Sequence, residues 1–332
     1  WSDGSYAPFT GGTVNPLPMI ELGVGGNDIR QNGVLKASAA LEYRPARWLT
    51  LEVKAAPQLT AVKTHRFVDL VEYHSDPYGT VSKVSNAEFN SLDELVSAAW
   101  NGYYHATAAA ARQFGGHSLK LLVGASYEAY DYYSLGAYRQ DFAYPDYEVI
   151  SAGGDNEFKN NSGTRTQMAL GSFFGRINYN FKERYLFEAN LRYDGSSRFV
   201  RRNRWSAFPS FSAAWRLTEE PFMAATRKTL SEFKIRASYG TLGNQNINSY
   251  YPASQLLTIS SISAANKIYP IVAQNSLANE NITWETTYMT DIGFDATLWN
   301  RLSITADYYH KKTDGILMQL DIPASIGLGA PY

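Results

Sequence analysis

Between residues 127 and 149, YEAYDYYSLGAYRQDFAYPDYEV, the rings of Tyr130, Tyr132, Tyr133, Tyr138, Phe142, Tyr144 and Tyr147 interleave with the carboxylates of Asp131, Asp141 and Asp146. The chemistry open to such a set is recognition: ring faces stack on sugar rings or peptide side chains, and carboxylates accept hydrogen bonds. The same residues also suit a loop that packs its own small core and joins an aromatic girdle. A second, smaller set is NSYYPASQ at 248 to 255, with Tyr250 and Tyr251. Both sets are expected on long loops. Tyr130, Tyr132, Tyr133, Tyr138, Tyr144, Tyr147, Tyr250 and Tyr251 are taken as candidate ligand-binding residues.

Covalent chemistry finds little to work with. His65, His74, His105, His117 and His310 form no HExxH or comparable close pair, and no acidic cluster has EF-hand spacing. His74, Ser75 and Asp76 adjoin in YHSDPYG, but triad members converge from separate segments, so this reads as a turn. The glycine-rich GVGGNDI at 23 to 29 lacks the phosphate-loop pattern. The chain has no cysteine, which removes thiolate catalysis and Cys-ligated metals. Charges at strand spacing, Glu52 with Lys54, Lys234 with Arg236 and Asp291 with Asp295, need only line a wet interior. No catalytic residue, metal ligand or cofactor is nominated, and the chain is read as a non-enzyme.

The elements that carry these residues are strands. In 184 to 193, Tyr185, Phe187, Ala189, Leu191 and Tyr193 alternate with Arg184, Glu188, Asn190 and Arg192; only Leu186 breaks the pattern. From 284 to 298 the apolar set Trp284, Tyr288, Ile292, Phe294, Ala296 and Leu298 stands against Glu285, Asp291, Asp295 and Thr297. The same reading gives about ten strands, at roughly 30–43, 48–63, 97–113, 118–132, 166–180, 184–198, 205–217, 233–242, 282–298 and 301–318. Most reach the roughly 9–11 residues that cross a membrane obliquely. Tight turns near 44–47, 114–117, 181–183 and 299–300 and an intermediate one at 218–232 alternate with connections at 64–96, 133–165, 199–204 and 243–281. All but 199–204 of that second set are long, which is the sidedness of an outer-membrane barrel.

Composition agrees. Aromatics are 14% of the 332 residues and charged residues only 18%, and the net charge of -1 gives no basic excess for nucleic acid. No apolar run is long enough for a transmembrane helix. Trp48, Trp215 and Trp299 fall beside short turns, and Trp100, Trp205 and Trp284 at the long-loop ends of strands, where two membrane girdles are expected. The predicted fold class is therefore all-β, an antiparallel transmembrane β-barrel. No signal peptide is visible at Trp1.

Five blocks carry a family resemblance: NYNFKERYLFEANLRYDGSSRF (178–199), RWSAFPSFSAAWRL (204–217), FKIRASYGTLGNQNI (233–247), NITWETTYMTDIGFDATL (281–298) and RLSITADYYHKKTDGIL (301–317). Together they resemble the SusC/RagA-type TonB-linked outer-membrane proteins of Bacteroidota; residues 1–177 match in style only. The resemblance implies a barrel of about 22 strands with a plug, import of a glycan or peptide, a SusD/RagB-like lipoprotein lid, and energy from a TonB–ExbB–ExbD complex. It places the chain in the outer membrane among lipid, as a multi-pass protein. It also makes DGSSRFVRRNRW an outward connection, with Gly195 leaving the strand. Arg198, Arg201, Arg202 and Arg204 then meet lipid phosphates, lid carboxylates or acidic partners inside the barrel, a structural role being favoured.

With neither plug nor TonB-contact segment recognisable, residues 1–332 are read as part of one barrel domain from the middle of a longer protein. Two alternatives stay open. One is a self-contained ten-stranded barrel, a passive pore or an omptin-like protease; the other is a soluble sugar-binding β-protein, for which long, sided strands are a poor match.

Overall fold

The computed structural model describes residues 17–20, 25–73, 84–85, 87–264, 267–274, 276–319 and 321–331. The His74–Asp76 group and the first residues of GVGGNDI lie outside them. The strands are β1 (Gly26–Lys36), β2 (Ala39–Ala46), β3 (Leu49–Val68), β4 (Glu72–Tyr73), β5 (Val84–Ser85), β6 (Ser91–Phe114), β7 (His117–Gln140), β8 (Asn160–Phe181), β9 (Tyr185–Ser196), β10 (Trp205–Arg216), β11 (Leu230–Asn244), β12 (Leu257–Ala264), β13 (Lys267–Gln274), β14 (Glu285–Leu298) and β15 (Leu302–Asp314). One sheet runs β1-β3-β6-β7-β8-β9-β10-β11-β14-β15, with β2 also on β3; β12–β13 and β4–β5 are separate hairpins. The pairings of β1 and β2 with β3, of β4 with β5, of β12 with β13, and from β8 through β9, β10, β11 and β14 to β15 are antiparallel.

Three of the tight connections each turn on two successive residues in the left-handed region, a handedness that suits strand twist. Gly115 and Gly116, Lys182 and Glu183, and Trp299 and Asn300 all have positive φ. For Trp299 that region costs about 1–2 kcal/mol, a cost tolerated where the indole stands exposed beside the turn.

Three expectations about strand bounds change. The strand expected at 30–43 is two ladder segments of one register, since Lys36 pairs Gln58 and Ala39 pairs Ala55. The gap lies opposite Pro57, which has no N–H to give the ladder. Strands β3, β6, β7 and β8 extend well past their expected ends, to 20, 24, 24 and 22 residues. The alternation fades there while the hydrogen-bond ladder continues, because beyond a membrane the outer face need no longer be apolar. Within the expected 243–281 connection, β12 and β13 form a hairpin that alternation did not reveal.

The chain forms two compact units: residues 1–37, 58–101 and 130–166 make the first, and 38–57, 102–129 and 167–332 the second. In the second, one sheet face is apolar yet exposed. Its cross-strand sets include Phe173, Tyr193 and Ala207, and Ile177, Ala189 and Phe211. Phe173 is 59% exposed and Leu191 52%. The other face is ionic: Lys234 meets Asp295 at 2.8 Å, and Arg236 meets Asp307 at 2.7 Å and Asp295 at 3.4 Å. Asn178 and Asn190 both donate to Glu188. A sheet with this much contiguous exposed apolar surface needs a nonaqueous neighbour.

The second unit also holds a small cluster of buried apolar residues: Phe199, Phe208, Ile247, Ile282 and Trp284, with Leu170, Ala253 and Leu317 against it. Trp284 corrects the girdle expectation. It is 6% exposed, its ring centroid lies 5.4 Å from those of both Phe199 and Phe208, and its Nε1–H donates to the Arg204 carbonyl at 2.9 Å. A polar tip and two aromatic neighbours draw it inward. Gly195 also differs from expectation: it stays in β9, paired with Trp205 and Gly171. A Cβ there would lie 2.5 Å from the Trp205 ring. Gly195→Val should therefore displace Trp205 and cost about 1–3 kcal/mol, read as a lowered denaturant midpoint against wild type.

Candidate functional site

The tyrosine-rich stretch divides. Tyr130, Tyr132, Tyr133 and Tyr138 are strand residues of β7, not loop residues. Strand alternation puts Tyr133 on the face opposite Tyr130, Tyr132 and Tyr138, so the four do not converge. Tyr144 and Tyr147 lie in the connection after β7, 78% and 62% exposed, and bracket a turn closed by Tyr147 N–H on the Tyr144 carbonyl at 3.0 Å. In the second unit, Tyr250 lies under the Arg198 guanidinium, 5.1 Å from ring centroid to carbon. The Tyr251 hydroxyl accepts from the Gln167 N–H at 3.0 Å.

Residues 141–154 are strapped down rather than free. Asp141 takes φ +65 to turn the chain out of β7. Asn90 then brackets Phe142, accepting from its N–H at 2.6 Å and donating to its carbonyl at 2.9 Å. The Phe142 ring packs edge-on against Phe67, centroids 5.5 Å apart, beside Leu92, Ile150 and Ala152. Phe142 also bridges Gly153, and Arg139 donates to the Gly153 carbonyl at 3.0 Å.

At the far side of this strap, Glu148 reaches back to the sheet. Asn27 donates to both its oxygens at 2.8 and 2.9 Å, and His65 Nε2 lies 2.5 Å from Oε2. The other ring nitrogen, Nδ1, lies 2.6 Å from Glu94 Oε1, and Lys63 stands 3.7 Å from Glu94. His65 lies well beyond the roughly 9–11 residues that cross the hydrocarbon. Burial lowers its pKa, but hydrogen bonds and charge from Glu94 and Glu148 together outweigh that and raise it above the ordinary 6.5. The two carboxylates sit on opposite ring nitrogens, an arrangement that bridges instead of coordinating. Among the described residues no group of three His, Cys, Asp or Glu is placed to hold a metal.

Sequence reasoning did not find this cluster. Its members are 29 and 83 positions apart, and no local motif marks them. The arginine connection resolves into structural contacts. Arg198 donates to the Ile247 carbonyl at 2.7 Å, Arg202 to Asn281 at 3.0 Å, and Arg204 Nε to the Phe199 carbonyl at 3.4 Å. Arg198 therefore ties 197–204 to the chain beyond β11, and burial lowers its pKa from the ordinary value.

Trp205 stacks on Tyr193 and Phe173, centroids 5.0 and 6.0 Å apart. Near the short turns, Trp215 stacks on Tyr185 at 6.2 Å, while Trp48 and Trp299 are exposed; Trp100 is exposed on β6. On the ionic face a cavity of about 590 Å³ is lined by Lys120, Arg176, Asn178, Glu188, Arg236 and Asp291, among others. A wall apolar on one side, wet and charged on the other, with aromatic clusters toward the strand ends, can separate lipid from an aqueous passage.

Comparison with known proteins gives the same picture. The family model described as TonB dependent receptor-like, beta-barrel matches residues 4–330. TonB-dependent receptor P26 of Formosa agariphila is 29% identical over 348 residues, covering 99% of this chain and 32% of its own length. TonB-dependent receptor SusC of Bacteroides thetaiotaomicron is 34% identical over 180 residues, covering 53% of this chain and 18% of its own. The solved RagAB peptide transporter matches with a TM-score of 0.80 at 22% identity, over 93% of this chain and 33% of its own, a likeness of fold. The chain spans about a third or less of each of these relatives.

Proposed function

The chain belongs to the TonB-dependent receptor β-barrel family, and from that premise we propose that it forms part of the wall of an importer for a glycan or peptide nutrient. It is a multi-pass segment of the bacterial outer membrane. All of residues 1–332 contribute to one barrel domain, completed by strands and a plug encoded elsewhere in a longer protein. The observation that carries the reading is the sided sheet: apolar and exposed on one face, ion-paired on the other.

The importer performs binding and passage, without covalent chemistry. Ligand captured outside favours a plug conformation that TonB can grip, and force from TonB–ExbB–ExbD opens a path beside the polar wall. A SusD/RagB-like lipoprotein lid closes over the outer mouth. The peptide assignment of the RagAB transporter and the presence of SusC among the relatives support, respectively, a peptide cargo and the lid-bearing branch of the family. Exposed tyrosines serve both cargo classes.

The test is uptake of fluorescent oligosaccharide and peptide pools by cells expressing the intact protein. Accumulation should depend on TonB, and uptake unchanged without TonB would overturn the reading. Tyr144→Ala with Tyr147→Ala should weaken capture about 10-fold, the equivalent of about 1.4 kcal/mol, with stability unchanged because both rings are exposed. Titration of the retained pool onto purified variants measures it.

A further inference from the structure

The geometry points to protonated His65 as the positioning residue that pins residues 141–154 to the sheet and so sets how Tyr144 and Tyr147 are presented. This goes beyond the importer reading and stands or falls without it. An imidazole between two carboxylates must donate from both nitrogens. Only the imidazolium has two N–H groups; the neutral ring has one, and turns a lone pair toward the other carboxylate. Contacts of 2.6 Å to Glu94 and 2.5 Å to Glu148 are therefore satisfied together only when the proton is present.

The charges that face His65 come from every element around it. Strand β6 contributes Glu94, the strap contributes Glu148, and β3 itself contributes Lys63, ion-paired to Glu94. From β1, Ile29 stands opposite His65 in register, and Asn27 on the same face binds Glu148. Asp28 and Arg30 alternate to the other face. Two carboxylates thus balance His65⁺ and Lys63⁺, and loss of one proton leaves an excess negative charge in a half-buried site.

The ends of the strap are held differently. Asn90, Phe67 and Gly153 fix Phe142 through neutral hydrogen bonds, a ring contact and a backbone bridge. Deprotonation therefore loosens the middle, residues 144–149, where Asn27 alone still holds Glu148, and leaves the ends, Ile150 included, docked. Because the folded pKa is raised, the pinning is complete below pH 6.5 and is lost as pH rises through the raised value.

The chain has no cysteine, so Asp146→Cys and Val34→Cys, both at exposed sites of the same unit, introduce a spin-label pair. The intact protein, with any cysteines elsewhere replaced, is examined by pulsed electron–electron resonance at about pH 6 and about pH 9, which bracket imidazole titration. The expected result is one dominant, narrow distance population at the lower pH and a displaced majority at the higher. His65→Arg, which keeps two donors and its charge, should stay narrow at both; His65→Gln should be displaced at both. A wild-type distribution that ignores pH overturns the proposal, as does the same pH response in wild type and His65→Arg. His65→Gln staying narrow at both pH values would also overturn it.

Discussion

Trp284→Ala is expected to lower the stability of the folded protein by about 3–5 kcal/mol, the cost of deleting a buried large aromatic. The indole sits in the second unit's cluster of buried apolar residues, against Phe199 and Phe208. Alanine removes both ring contacts and leaves the Arg204 carbonyl without its 2.9 Å donor. Arg198, Arg202 and Asn203 bond to the backbone or side chains of 245–282 around the same cluster. The loss should therefore be local as well as global, with faster amide exchange in 197–204 and 245–284. Trp284→Phe separates the two contributions: it keeps most of the packing and forfeits the hydrogen bond, worth about 1 kcal/mol. Denaturant unfolding of the variants in lipid vesicles measures both. A loss under about 1 kcal/mol for alanine would place Trp284 in a solvent or lipid setting.

Leu191→Arg should impair insertion by about 2–4 kcal/mol, whereas Asn190→Arg, one residue away, should be close to neutral. Leu191 lies mid-strand in β9, between Gly175 and Pro209, on the exposed apolar face. A guanidinium at bilayer midplane on that face carries the larger penalty. Asn190 pairs with Arg176 and Ser210 on the ionic face, beside Glu188, where a charge meets water and carboxylates. Reversible folding into vesicles gives both values, and equal effects at the two positions would contradict the sidedness.

The parts of the fold legible in the sequence were those a bilayer forces into the pattern. Where lipid demands an apolar residue at every second position, as in 185–193, alternation located the strand to within a residue or two. Tight turns followed from their spacing. The strand extensions at 64–68, 91–96, 133–140 and 160–165 were not legible, because beyond the membrane the constraint lapses while backbone pairing persists. This is why Tyr133 and Tyr138, past the expected strand end at 132, lie on β7 and not on a loop. Trp284 carried the girdle's residue type at the girdle's position, and only its neighbours Phe199 and Phe208, remote in sequence, decide that it turns inward. His65, Glu94 and Glu148 met the same obstacle: a cluster assembled by sheet register and a strap has no local signature. The ligand candidates Tyr144 and Tyr147 remain a proposal, for which exposure and a pinned backbone are the support.

The central claim is that this sheet is the wall between lipid and an aqueous interior, and a nitroxide scan of β10 tests it most directly. Single cysteines from Ser210 to Trp215 in the intact, membrane-inserted protein would each carry a label, with collision rates measured against oxygen and a water-soluble nickel chelate. The account predicts a period of two: oxygen contact highest at Phe211, Ala213 and Trp215, which pair with Ala189, Phe187 and Tyr185, and nickel contact highest at Ser210, Ser212 and Ala214. Nickel access equal on both faces, or no alternation at all, would contradict it.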